Sequence, residues 1–192
     1  MNILFINACV HQESRTKRLA DYFLKQINGN INEVNLNEEK IPPLNKETLM
    51  YRTKLTEENN FEEAIFKYAH DYANSDMIVI AAPYWDLSFP AVLKIYIENI
   101  NANGIVFKYD ENGNVIGLCN ADKLVYITTS GGKINHEYGF EYIKSLAKDY
   151  HGIKNIYYIK AEELDIVNSD VEQILQKAEE KIDKLIKKDF SK

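Results

Sequence analysis

Three short stretches of this 192-residue chain hold residues whose types and spacing could do chemistry. The first is NACVHQESRT (Asn7–Thr16), in which five residues separate Cys9 from Arg15, with Thr16 next. A cysteine–arginine pair so spaced could be a thiolate nucleophile beneath a phosphate, with the guanidinium as clamp. The same loop could instead seat an anion without attacking it. It offers the Ser14 and Thr16 hydroxyls, the Arg15 charge and the free N–H groups of a helix start. A plain Ser/Thr helix cap would look alike, and this loop does not choose between them. The second stretch is APYWDLSFPAVLK (Ala82–Lys94). It sets Tyr84, the single tryptophan Trp85, and Leu87 directly after an apolar run, where loops face solvent, so they could wall a flat ligand. Packing under a neighbouring loop or against another subunit is the alternative. The third is TTSGGK (Thr128–Lys133), whose Gly131 and Gly132 let the backbone approach a ligand and offer it N–H groups.

The elements that must position these loops alternate along the chain. ILFI (Ile3–Ile6), MIVIAA (Met77–Ala82), LVYIT (Leu124–Thr128) and NIYYI (Asn155–Ile159) are almost unbroken in hydrophobic residues. Strands read this way when both faces of a parallel sheet are covered. INEVNL (Ile31–Leu36) alternates apolar and polar, as an edge strand does. Between the runs fall five amphipathic helical patterns, marked by Leu19–Ile27, Phe61–Tyr72, Val92–Ile100, Phe140–Tyr150 and Val171–Leu185. EEKIPPLNKET (Glu38–Thr48) reads as a long surface loop, because Pro42 and Pro43 oppose regular structure. Strict alternation predicts one open α/β domain over residues 1–192, with helices on both faces and ligands beyond the carboxyl ends of the strands. All three stretches follow strands, so all three meet at that edge. An anion seat, an aromatic wall and a backbone-donor loop suit a phosphorylated, planar aromatic cofactor. FMN fits better than NAD, because no G-x-G-x-x-G follows the first strand.

Composition bounds the function. The chain is 45% hydrophobic and 27% charged, as in ordinary globular proteins. A formal net charge of -6 without a basic tract argues against nucleic acid as partner. The N-terminal apolar run is far shorter than the roughly 18 residues needed to span a bilayer, and it lacks the flanks of a signal peptide. Two cysteines are too few for a disulfide framework, so a cytoplasmic protein is expected. His70 and His151 have no metal-ligand spacing with other residues, and no metal is expected.

With these residues in view, the sequence resembles the flavodoxin-like NAD(P)H-dependent oxidoreductases that include FMN-dependent azoreductases and NAD(P)H:quinone oxidoreductases. The resemblance is carried by Ser14–Phe23, Ala82–Ile100, GIVFKYDENGNVIGL (Gly104–Leu118) and Thr128–Gly132. It implies a five-stranded parallel sheet of order 2-1-3-4-5, bound FMN, NADH or NADPH as co-substrate, and a homodimer with composite sites. It further implies two-electron, ping-pong hydride transfer to quinone- or azo-like acceptors. By position, Ser14, Arg15 and Thr16 would hold the FMN phosphate, helped by His11. Pro83, Tyr84, Trp85, Asp86 and Leu87 would line the ribityl chain and ring, and Thr129, Ser130, Gly131 and Gly132 would meet the ring's polar edge. Asp86 stands where many azoreductases have Asn, and Ser130 where they often have Arg. AspGluAsnGly (Asp110–Gly113) reads as the turn of a hairpin inserted around residues 105–118, so Phe107 and Tyr109 would project toward the neighbouring subunit's pocket.

With FMN bound the protein need supply no nucleophile. His136 and Tyr138 follow the Gly-Gly loop and could donate a proton or hydrogen bond to the acceptor, or simply be solvated residues at a helix start. Two other functions compete. A flavodoxin-type electron carrier would need the same cofactor, but the Thr-x-Thr-Gly-x-Thr phosphate loop is missing. A low-molecular-weight Cys-x5-Arg phosphatase would use Cys9, yet the loop has no glycine, Glu13 would repel a dianion, and no Asp-Pro general-acid segment occurs. A response-regulator receiver is excluded by Asn7, Ala8 and Cys9 where clustered acids should stand.

Overall fold

The apolar runs become the strands of one parallel sheet because only there can both of their faces be buried. In the computed structural model, which describes residues 1–190, the elements run as follows. Strand β1 (Asn2–Asn7) leads to α1 (Arg15–Leu24), β2 (Asn30–Asn35) and α2 (Lys46–Glu57). A 3-10 turn (Ala64–Phe66) opens α3 (Lys67–Ala73), followed by β3 (Met77–Ala81) and α4 (Ala91–Ile100). Two short strands, β4 (Phe107–Tyr109) and β5 (Val115–Gly117), pair antiparallel. Then come β6 (Lys123–Thr129), α5 (Tyr138–Ser145) with a π-turn over Leu146–Tyr150, β7 (Asn155–Ala161) and α6 (Val171–Asp189).

The main sheet has the order β2-β1-β3-β6-β7, all parallel. Counting only its own strands, that is the expected 2-1-3-4-5, and β2 is the edge strand its alternation suggested. The chain reverses direction across the sheet between β1 and β3, the switch point where such folds gather ligands.

Alternation along each strand divides the core in two. Ile3 and Phe5 of β1, Val79 of β3, and Val125 and Ile127 of β6 pack beneath α1 and α6. Leu4 and Ile6, Ile78 and Ile80, and Leu124 and Tyr126 face the side of α3, α4 and α5. Each such aliphatic burial contributes about 1.5–3 kcal/mol. The two layers hold the strand ends rigidly in register, and the loops that follow inherit that rigidity.

The helices differ from the sequence reading in three places. α2 was not expected; it begins inside the stretch read as loop. Its cap is well formed, with Thr48 N–H donating to Asn45 Oδ1 at 2.9 Å and Asn45 N–H to Thr48 Oγ1 at 2.9 Å. But it buries only Arg52 and Leu55, so it shows no apolar stripe. It is tied instead by Arg52, whose guanidinium donates to the Glu98 and Asn101 carbonyls at the end of α4, at 3.0 and 3.1 Å. The second expected helix is shorter at its start, Phe61 lying before the 3-10 turn. The fourth ends in the π-turn, which carries His151 inward.

Candidate functional site

In the β1–α1 loop the Asn7 side chain accepts a bond from Cys9 N–H at 3.0 Å, and Asn37 Nδ2 donates to the Cys9 carbonyl at 2.9 Å. The Cys9 thiol is turned into the core beside the Ala81 carbonyl, 3.7 Å away. Burial pushes its pKa up to about 11. It is therefore a neutral thiol at physiological pH, the wrong state for a nucleophile. Arg15 does not sit over it. Its guanidinium donates to the Leu164 carbonyl at 2.9 Å and to Asp165 Oδ1 at 2.7 Å, in the loop after β7. The phosphatase geometry is absent.

The helix start is open. Ser14 is the N-cap, its Oγ accepting from Lys17 N–H at 3.3 Å. The N–H groups of Arg15 and Thr16 meet no acceptor among the described residues. Thr16, buried, bonds through Oγ1 to Thr129 Oγ1 at 2.6 Å, which stitches the start of α1 to the end of β6.

The β3–α4 loop is a tight reversal. Tyr84 N–H donates to the Thr129 carbonyl at 2.9 Å, and Trp85 and Ser88 exchange backbone bonds of 3.2 and 2.8 Å. The residues between, Asp86 (φ 48°) and Leu87 (φ 68°), are both left-handed. Two successive positive φ values match a type I′ turn, normally built with Asn-Gly. A leucine there is strained by roughly 1–2 kcal/mol. The Trp85–Ser88 pairing closes this turn and leaves Trp85 at the surface, 40% exposed. Tyr84 Oη donates to the His136 carbonyl at 3.0 Å. Pro90 stands at the N-cap of α4, just outside the helix.

The third loop is pinned from behind. The N–H groups of Glu163, Leu164 and Asp165 donate to the carbonyls of Gly132, Ser130 and Gly131 at 3.2, 3.1 and 2.9 Å. That leaves the N–H groups of Gly131 and Gly132 without a partner among the described residues. Gly131 gives room to Asp165, since a Cβ there would lie 2.3 Å from Asp165 Oδ2 and the carboxylate would have to move. At Gly132 a Cβ would meet only open space, so freedom from contact, not crowding, characterises that position.

These loops surround a cleft of about 380 Å³. Its lining includes His11, Ser14, Arg15, Thr16, Pro83, Tyr84, Trp85, Thr129, Ser130 and Gly131. Asp86, Leu87 and Gly132 support these residues from outside the lining. His136 and Tyr138 are stacked on each other, centroids 5.1 Å apart and 7° between planes, and reach the cleft only through Tyr84. Phe107 and Tyr109 do not line it. Phe107 packs edge-on against Tyr150 at 5.4 Å, on its own subunit's core, and Tyr109 lies exposed. Val10, Glu13 and Asp165 line the cleft without having been anticipated. Asp165 was within reach of the sequence, because EELD (Glu162–Asp165) follows the last strand of the same edge. Among the described residues no group of three or more His, Cys, Asp or Glu is placed to hold a metal ion.

The donor set fits a phosphorylated flavin. Among the described residues, the N–H groups of Arg15, Thr16 and Gly131 have no partner, and these three residues line the cleft together with the aromatic side chains of Tyr84 and Trp85. The volume lies within the range of small-molecule sites.

The order of the sheet and the cleft at its switch point define a flavodoxin-like α/β protein. Residues 1–186 match the family described as Flavodoxin-like fold, and the chain belongs to that family. A Clostridium acetobutylicum protein named FMN-dependent NADH:quinone oxidoreductase 2 is 37% identical over 192 residues, covering 93% of this chain and 94% of the relative. A Clostridium perfringens FMN-dependent NADH:quinone oxidoreductase is 35% identical, covering 97% and 98%. Among solved structures, an azoreductase from Bacillus anthracis superposes with a TM-score of 0.84 at 23% identity, covering 96% of this chain and 98% of its own. A FMN-dependent NADH-azoreductase of the same species, solved in complex with FMN, gives 0.77 at 22%, with the same coverage. At those identities the structural likeness establishes the fold.

Proposed function

We propose that the chain is an FMN-dependent oxidoreductase that takes reducing equivalents from NADH and passes them to quinone- or azo-like acceptors. One observation carries the reading: backbone N–H groups without partners among the described residues belong to residues that line one cleft together with Tyr84 and Trp85, at the edge where β1, β3 and β6 finish. The names of the relatives at 35% and 37% identity point the same way. When bound, FMN would supply the two-electron redox chemistry between nicotinamide and acceptor, in the ping-pong order the family resemblance implies.

The chain's own residues do the rest. The Arg15 and Thr16 N–H groups and the Ser14 hydroxyl would hold the phosphate, aided by the dipole of α1. Tyr84 and Trp85 would present a flat apolar face and exclude water from it. The Gly131 and Gly132 N–H groups would stabilise negative charge at the ring's polar edge. The exposed His136–Tyr138 stack, anchored through Tyr84, would meet an acceptor arriving from solvent. Phe107 holds the β4–β5 hairpin against its own core, and Tyr109 at its tip would contribute to the pocket of a second copy in a homodimer. Two free thiols, Cys9 and Cys119, suit a reducing cytoplasm. No helix among the described residues is long and apolar enough to cross a membrane.

The test is spectroscopic. Protein loaded with FMN should lose its visible absorbance on adding NADH and regain it on adding a quinone. Colour indifferent to pyridine nucleotide would make it an electron carrier instead.

A further inference from the structure

Resting on the flavin reading above, the charge inventory of the cleft is unusual for a seat that takes a phosphate. Three charged side chains line it, Glu13, Arg15 and Asp165, so carboxylates outnumber the cation. The other cations of the first turns of α1 are engaged elsewhere. Lys17 is paired with Asp21 at 2.8 Å, and Arg18 with Glu172 and Glu179 at 2.8 and 3.4 Å. Arg15 is thus the one cation lining the cleft among the described residues, and it is already matched with Asp165 at 2.7 Å. A second donor of its guanidinium is spent on the Leu164 carbonyl. What remains unpartnered for an anion is mostly uncharged: the N–H groups of Arg15 and Thr16.

From this we infer that Asp165 is a specificity-determining residue of the cofactor seat. By sharing the charge of Arg15 and adding its own negative charge to the cleft, it lowers the advantage of a phosphorylated flavin over the neutral riboflavin. Binding then rests more on the aromatic wall and the backbone donors, which both flavins use alike. Asp165 also packs on Gly131, so a purely structural role is the competing explanation. The two differ in what they predict. Loss of packing would weaken both flavins together, whereas loss of charge changes only the ligand that carries a phosphate.

Asp165→Asn separates them, because the amide keeps an oxygen to accept from Arg15 and nearly the same shape. The measurement is equilibrium titration of flavin-stripped protein with FMN and with riboflavin, followed by flavin fluorescence. Asp165→Asn is expected to tighten FMN about three- to tenfold and leave riboflavin within twofold. The gain should shrink as salt rises, and Asp165→Glu should retain the wild-type ratio. An unchanged FMN-to-riboflavin ratio in Asp165→Asn, or equal weakening of both, overturns the inference while leaving the flavin reading intact. Wild-type protein that takes up neither flavin overturns the reading itself, and the inference with it.

Discussion

Two polar networks in this molecule use similar residues to opposite ends. One lies at the cleft rim, where Ser14, Thr16, Thr129, Arg15 and Asp165 join α1 to the ends of β6 and β7. The other lies in the core, where Tyr72 Oη donates to His151 Nδ1 at 3.0 Å and His151 Nε2 donates to Asn101 Oδ1 at 2.8 Å. The core network uses every hydrogen-bonding position of its imidazole internally. The rim network bonds the strand ends together yet leaves backbone donors unmatched. Satisfaction marks the core network as scaffold, and surplus marks the rim network as a candidate site. Both histidine clusters illustrate the rule: His151 is buried and fully partnered, while His136 is exposed and held only by a ring stack and its own carbonyl.

Breaking the core network should cost the most and should cost stability alone. His151→Ala removes two buried hydrogen bonds and is expected to destabilise the fold by about 3–4 kcal/mol in denaturant unfolding. FMN affinity of the folded protein should stay within twofold. The same histidine gives a pH signature. Burial lowers its pKa from an ordinary 6.5 to about 4, so the folded state keeps it neutral where the unfolded chain would protonate it. Its contribution is fully present above about pH 6.5 and is lost as pH falls toward 4, on the order of 3 kcal/mol in all. Thermal midpoints across that window should drop in the wild type, and less so in His151→Ala.

Breaking the rim should do the reverse. Ser14→Ala with Thr16→Ala is expected to weaken FMN by about 1.5–3 kcal/mol, some 10- to 150-fold in a fluorescence titration, through the lost Ser14 bond to a charged group and a helix start no longer stitched to Thr129. The unfolding free energy should fall by about 1–3 kcal/mol, from the lost Ser14 cap of α1 and from Thr129 left without its partner, without unfolding the domain. Unchanged affinity would misplace the phosphate.

Smaller changes sharpen the contrast. Leu87→Gly relieves a left-handed leucine at some entropic expense, and a net gain of about 0.5–1 kcal/mol in stability is expected. Looser control of Trp85 should weaken FMN a few-fold in the same protein. Tyr96→Phe deletes a buried hydroxyl with no hydrogen-bond partner among the described residues and should stabilise the fold by up to about 1 kcal/mol, with flavin binding untouched.

The sheet was legible because its central strands are buried on both faces and so are written as continuous apolar runs, while the edge strand β2 shows by its alternation. α2 was not, since a helix held by one arginine and one leucine leaves no periodic stripe. The three cleft loops were legible from their place after strands. Two features of their geometry were not. Nothing in Asp86–Leu87 announces a turn that glycine normally makes, because the surrounding ladder imposes it against local preference. Nor does Arg15 reveal its partner, which is 150 positions away and brought close only when β1 and β7 take their places in one sheet.

The most direct measurement is the titration of flavin-stripped protein with FMN, alongside Trp85→Ala. A single FMN per chain is expected, with fluorescence quenched by the wild type and both quenching and affinity reduced in the variant. Failure to take up FMN, or uptake indifferent to Trp85, would contradict the assignment of this cleft.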